Sequence, residues 1–197
     1  IDRSLMIICD KEIRKLNIIS PYEKEKINYK GTSYGQSSFG YDVRLGNKFT
    51  RQVGARNNRN ESTNKVSPLT PERLEWTEVE VDSDGIFQLE PSGFVLAHTM
   101  EKFTMPNNIT GLVKDKSTYA RLGIAVQNTV IEAGWEGYLT LEITNHSRFI
   151  VELQIGGGIA QIIFFKGTEC EKPYSKSGKY QGQEAKPIPP KTSTKSK

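Results

Sequence analysis

At 197 residues, 36% hydrophobic and 25% charged, the chain has the size and balance of one globular domain with a sizeable core. No apolar run approaches the roughly 20 residues that a bilayer-spanning helix needs, so that class is excluded and no membrane partner is expected. The formal charge of +4 is a tail property: segment 185–197 carries Lys186, Lys191, Lys195 and Lys197 and no acid, so the rest sums to zero and no nucleic-acid surface is expected.

In chain order, Met6 reads as a natural start without a secretory signal pattern, and residues 1–5 are expected to be an extension or remnant. Asp10 is expected to cap a short helix over 11–16, with Ile13 and Leu16 spaced to face a core. The rest reads as β. Strands are expected at 41–45, 87–89, 94–99, 109–113, 123–126, 138–144, 150–155 and 159–165, with Pro or Gly punctuation between them. The last is a near-continuous apolar run, as in a fully buried strand. Residues 51–67 are polar and rich in Asn and Arg, which predicts a surface loop. Pro187, Pro189 and Pro190 open an extended, flexible basic tail over 185–197. Many short, regularly spaced strands and no internal repeat predict an all-β sandwich or barrel.

Cys9 and Cys170 are isolated, so neither a disulfide framework nor metal-ligand spacing is present, and a reduced cytoplasmic setting is expected. With only His98 and His146 and no C-x-x-C pair, the chain lacks the ligand set of the zinc deaminases.

Chemistry concentrates in two segments. Lys116-Ser117-Thr118-Tyr119-Ala120-Arg121 packs an ammonium, two hydroxyls and a guanidinium into six residues. That set suits a triphosphate, which needs charge-assisted and partly bidentate donors beside the backbone N–H groups of a turn. In Tyr138 to Thr144, Leu139, Leu141 and Ile143 alternate with Thr140, Glu142 and Thr144, so Glu142 projects from a polar strand face between two hydroxyls. Upstream lies Ser38-Phe-Gly-Tyr-Asp-Val-Arg-Leu-Gly-Asn47. Downstream lie Gly158-Ile-Ala-Gln161 and Gly178-Lys-Tyr-Gln-Gly-Gln183.

These motifs, in this order, closely resemble the dCTP deaminase family, a branch of the trimeric dUTPase superfamily, over roughly residues 6–190. The resemblance implies a mainly antiparallel, distorted β-barrel or jelly roll of the dUTPase type, with one short N-terminal helix and a helical turn at the active site. It divides the chain into a body over 6–184, with a C-terminal lid from about 172, and the tail 185–197. It implies hydrolytic deamination of dCTP to dUTP and ammonia, run by side chains without zinc, with Mg²⁺ carried by the triphosphate. Glu142 would shuttle protons, and Ser117 would orient the water. Arg121 is left between holding Glu142 or the developing oxygen and binding phosphate.

Lys116, Thr118 and the turn backbone through Tyr119 and Ala120 would grip phosphates. Gln127, Asn128, Thr129 and Val130 fall where the family reads the pyrimidine, partly through backbone groups, and Thr140 and Leu141 are implied substrate-binding positions. Glu132 would meet the 3′-hydroxyl of the sugar or be a plain turn acid. Gln161 would touch substrate or make a structural hydrogen bond. Tyr174, Lys179 and Gln183 belong to the lid. Asp42 and Arg44 read mainly as supports of the fold or of a homotrimer with its sites between subunits. dTTP is an implied inhibitor. A bifunctional relative forming dUMP and pyrophosphate, a plain dUTPase, and a non-enzymatic nucleotide-binding β module stand as alternatives. The residues do not reveal a cellular or viral origin.

Overall fold

Side-chain alternation organises the chain into antiparallel sheets. The computed structural model describes residues 6–55, 66–79, 81, 83–176 and 178–191; the expected extension 1–5, the middle of the predicted loop and the end of the tail lie outside these. In order, the elements are β1 (Met6–Ile7), α1 (Asp10–Leu16), β2 (Ile19–Ser20), β3 (Ile27–Tyr29), β4 (Thr32–Ser37), β5 (Gly40–Arg44) and β6 (Phe49–Ala55). Then come β7 (Leu74–Val79), β8 (Ile86–Leu89), β9 (Phe94–Thr104), β10 (Ile109–Asp115) and α2 (Ser117–Ala120). The last are β11 (Ile124–Val126), β12 (Val130–Ile131), β13 (Glu136–Asn145), β14 (Val151–Gln154) and β15 (Gly158–Lys166).

One sheet runs β12-β10-β15-β5-β4-β3, with β1 against β15. The other runs β11-β13-β9-β6-β7, with β2 against β9, and β8 pairs with β14 separately. Both sheets feed one core: Tyr41, Val43, Ile162 and Phe164 come from the first, and Val95, Ala97, Leu141 and Ile143 from the second. The expected all-β, mainly antiparallel fold with a short N-terminal helix and a helical turn at 117–120 is the fold observed.

Three local expectations change. The helix begins at Asp10, with Cys9 as its N-cap and no side-chain capping bond, so Asp10 serves as a first-turn acid and not as the cap. Residues 51–55 are not loop; they complete β6, which pairs with β7 from Phe49↔Val79 to Ala55↔Leu74. The hairpin is hard to read because residues 51–54 of this sheet-edge element are exposed and give no apolar alternation. The flexible stretch expected from 185 makes contacts as far as Lys191, and Pro187 is buried.

Candidate active site

Burial alternates at every residue of β13, so Leu139, Leu141 and Ile143 fill the core while Thr140, Glu142 and Thr144 share the outer face. Directly paired residues share a face. The β9 register Thr140↔His98, Glu142↔Leu96 and Thr144↔Phe94 therefore sets Glu142 opposite Leu96 and diagonal to Phe94. Gln52↔Trp76 of the β6–β7 hairpin extends this outer face. A cavity of about 530 Å³ opens over it, lined by Glu142, Thr140, Leu96, Trp76, Trp135 and Glu132 among others. Burial, opposed only by a hydrogen bond to its own backbone, pushes the Glu142 carboxyl up from 4.5 to about 7. A carboxyl poised there can both take and return a proton near neutral pH.

The loop between β11 and β12 is clamped to β13. Asn128 donates from Nδ2 to Thr140 O at 2.6 Å, and Gln127 N donates to Glu142 O at 2.8 Å. Gln127 Oε1 accepts from Thr144 Oγ1 at 2.6 Å. Thr129, Val130 and Glu132 border the cavity.

The C-terminal segment crosses the same strand. Gly182 N donates to Glu136 O and Tyr138 N to Gln183 O, each at 2.9 Å. A Cβ on Gly137 would lie 2.7 Å from Gln183 N, so glycine admits this close approach. Gln183 Nε2 and Ile188 N both donate to Thr140 Oγ1, the latter at 3.0 Å. Trp135 Nε1 donates to Tyr180 O at 2.9 Å, and Tyr180 N donates to the Tyr174 hydroxyl at 3.1 Å. Tyr174, Tyr180, Gln183, Ile188 and Pro190 thus wall the cavity, while Lys179 is exposed with its ammonium over the Tyr180 ring.

A second cluster forms at the end of β10. Lys116 turns inward and its Nζ reaches Asp42 Oδ2 at 2.6 Å and Ser33 Oγ at 3.2 Å. Gly158 makes room: a Cβ there would lie 3.2 Å from Lys116 Cε and 1.8 Å from Ser33 O. Gln161 Nε2 donates to Asp42 Oδ1 at 3.0 Å, so the structural bond left open for Gln161 is present. Asp42 also holds the Lys26 ammonium at 2.5 Å. Ser117, Thr118, Ala120 and Arg121 are exposed beside this cluster.

Not every expected side chain faces a site. Leu141 is fully buried, and Tyr119 is inside with its hydroxyl accepting from Gln154 N at 2.9 Å, so their side chains serve the core. Leu141 takes the inner phase of β13, and Tyr119 anchors the α2 turn. Within the chain, Ser117 and Arg121 are not among the described residues lining the Glu142 cavity. Thr118 instead borders a separate cavity with Tyr119, Leu122, Phe149 and Ile150. Asp42 and Arg44 lie two apart on β5 but pair separately. Arg44 Nε donates to the buried Glu101 at 2.7 Å, and burial raises the Glu101 carboxyl despite that bond.

Sequence reasoning missed Trp76, Trp135, Tyr180, Ile188 and Pro190. The aromatics are isolated in sequence, and strand register together with the path of the C-terminal segment brings them together. Trp76 Nε1 is buried without a hydrogen-bond partner.

The dCTP deaminase-like family model matches residues 8–167. The dCTP deaminase of Helicobacter hepaticus is 37% identical over 183 residues, covering 91% of this chain and 93% of that protein. That of Campylobacter concisus is 35% identical over 188 residues, 91% of this chain and 95% of that protein. Among solved structures, the 2′-deoxycytidine 5′-triphosphate deaminase of Agrobacterium tumefaciens superposes with a TM-score of 0.57 at 23% identity; the match covers 84% of this chain and 49% of that one.

Proposed function

The chain belongs to the dCTP deaminase-like family, and from that premise we propose that it hydrolyses dCTP to dUTP and ammonia with Glu142 as proton shuttle. The observation that carries the reading is a strand carboxyl held near pH 7 by apolar burial, at the wall of a nucleotide-sized cavity. The Glu142 carboxylate takes a proton from water as the water oxygen bonds to C4, and passes it to N3. It then takes the proton of the new C4 hydroxyl and gives it to the amino nitrogen. The C4–N bond breaks, ammonia leaves, and C4 is left as a carbonyl.

Asn128 and Thr129 flank the base, Glu132 meets the sugar, and Tyr174, Lys179 and Gln183 belong to the segment over the nucleotide. Ser117 orients the water, and Arg121 stabilises charge developing at C4. Lys116, Thr118 and the backbone of the α2 turn take the phosphates. Their separation from the Glu142 cavity within one chain supports a shared site, in which a second copy of a homotrimer brings its Ser117 and Arg121 to Glu142.

Among the described residues no three His, Cys, Asp or Glu gather as a metal cage, and Asp42 is engaged by two ammoniums. These donors fit an Mg²⁺ held by phosphate oxygens and water, where it would neutralise the triphosphate. dTTP, which carries the same deoxyribose triphosphate, competes for the cavity. No described helix is long and apolar enough to cross a membrane, and the free thiols Cys9 and Cys170 suit a reducing cytoplasm.

The test incubates the protein with dCTP and Mg²⁺ and resolves the nucleotides while assaying ammonia. Ammonia with dUTP is expected; ammonia with dUMP and pyrophosphate would replace the reading with a bifunctional one, and no ammonia would end it. Site sharing is tested by mixing inactive E142Q and R121A chains. Random reassembly of a shared site restores about a quarter of wild-type activity. A site within one chain restores none.

A further inference from the structure

We propose that Lys26 is a second phosphate-gripping ammonium, paired with Lys116 across the Asp42 carboxylate; the inference rests on the nucleotide-binding reading above. The segment that carries Lys26 has a fixed course. The Tyr22 ring stacks on Tyr41 with centroids 5.5 Å apart, and its hydroxyl donates to Gln36 Oε1 at 2.5 Å. Glu23 N donates to the Tyr41 hydroxyl at 3.0 Å, and Gln36 N donates to Glu23 O at 3.1 Å. Gly35 adopts φ +100°, and a Cβ there would lie 2.2 Å from Glu25 O, so a glycine is what lets residues 23–26 lie against β4. Lys26 is thereby delivered to Asp42 and is not a freely wandering surface lysine.

The electrostatics of the trio are unbalanced. Asp42 Oδ2 meets Lys26 Nζ at 2.5 Å and Lys116 Nζ at 2.6 Å, so the two nitrogens lie within about 5 Å of each other. One negative charge thus faces two positive ones, leaving a surplus of one cation and a mutual repulsion that an anion relieves. The two lysines are not equivalent. The Lys116 side chain is 9% exposed and divides its donors between Asp42 and Ser33. The Lys26 side chain is 40% exposed, with Asp42 its ion-pair partner among the described residues. An ammonium carries three donors, so Lys26 keeps two for a ligand from solvent. Lys116 opens directly onto Ser117, Thr118 and the α2 turn, so the surplus charge sits where the phosphates of the nucleotide are to be held. Removing Lys26 leaves the buried Asp42 carboxylate still paired with Lys116, so ligand attraction is the main effect a Lys26 variant reads.

The test uses the full-length protein and inorganic tripolyphosphate as the probe. Lys26→Met is expected to weaken tripolyphosphate inhibition and to raise KM for dCTP, each about tenfold, the loss of one charge-assisted contact. kcat falls by less than twofold, and Lys26→Arg restores most of the affinity. Inhibition and KM that match wild type in folded Lys26→Met would overturn the proposal, as would a lowered Tm with inhibition intact. A measurement on wild type needs no variant: tripolyphosphate is expected to slow acylation of the Lys26 amine several-fold, read by peptide mass spectrometry, and undiminished acylation at saturating probe overturns it. A wild-type protein that protects Lys26 yet releases no ammonia from dCTP would keep the phosphate grip and discard the deaminase reading.

Discussion

Glu142 and Asp42 are both strand carboxylates, and the protein holds them in opposite ways. Glu142 sits on an outer sheet face among Leu96, Trp76 and Trp135, with its acidity set by lost water. Asp42 is 1% exposed, yet two ammoniums and the Gln161 amide surround it. Desolvation without a counter-ion yields a group that exchanges protons near neutrality. Burial beside two ammoniums and an amide instead suits a carboxylate to positioning cations. One chemical group thus serves as reagent or as scaffold according to its neighbours.

The comparison breaks first at Glu142→Gln. Turnover of dCTP is expected to fall by roughly 10²–10⁴ while nucleotide affinity, measured by calorimetry, stays within a few-fold. Stability moves the other way. The folded pKa of about 7 lies above the ordinary 4.5, so through that window the folded state holds more protons and stability falls as pH rises. Gln is neutral throughout, so E142Q is expected to melt above wild type at pH 8 and to lose that advantage below pH 4.5. A variant that melts below wild type at pH 8 would show that Glu142 is not strained by burial.

Asp42→Asn tests the other carboxylate. Stranding the buried Lys116 ammonium is expected to cost about 3–5 kcal/mol in urea unfolding. An unchanged midpoint would remove Asp42 from its scaffold role. The third test sharpens the contrast in solution: kcat/KM for dCTP is expected to decline below pH 7, approaching tenfold per unit, as Glu142 protonates. A profile flat down to pH 5 contradicts the assignment of the base. The smallest effect belongs to Trp135→Phe, which deletes the bond to Tyr180 O at about 1 kcal/mol and should speed trypsin cleavage after Lys179.

Much of this was legible from the chain. Strict alternation from Leu139 to Thr144 gave the inner and outer phases of β13, and so the face of Glu142, because a period of two admits only one buried register. The alternation also placed the Leu141 side chain in the core. The Asp42–Lys116–Gln161 cluster was not legible, since β4, β5, β10 and β15 become neighbours through pairing over long separations. Trp76 was hidden for a related reason: it reaches the site only through pairing of β7 with the exposed residues of β6. The docked course of 185–191 was missed because prolines and lysines read as solvent-loving, whereas its anchors are the backbone N–H groups of Ile188 and Lys191, which composition does not report.

Gln183, Ile188 and Pro190 wall the same cavity as the Glu142 carboxyl, whose acidity depends on how dry it is kept. Lifting that segment would rehydrate Glu142 and lower its pKa, so near pH 7 each opening discharges part of a proton and each closure reclaims it. On the proposed reading, the heat of seating the segment would scale with the ionisation enthalpy of whatever buffer supplies the proton.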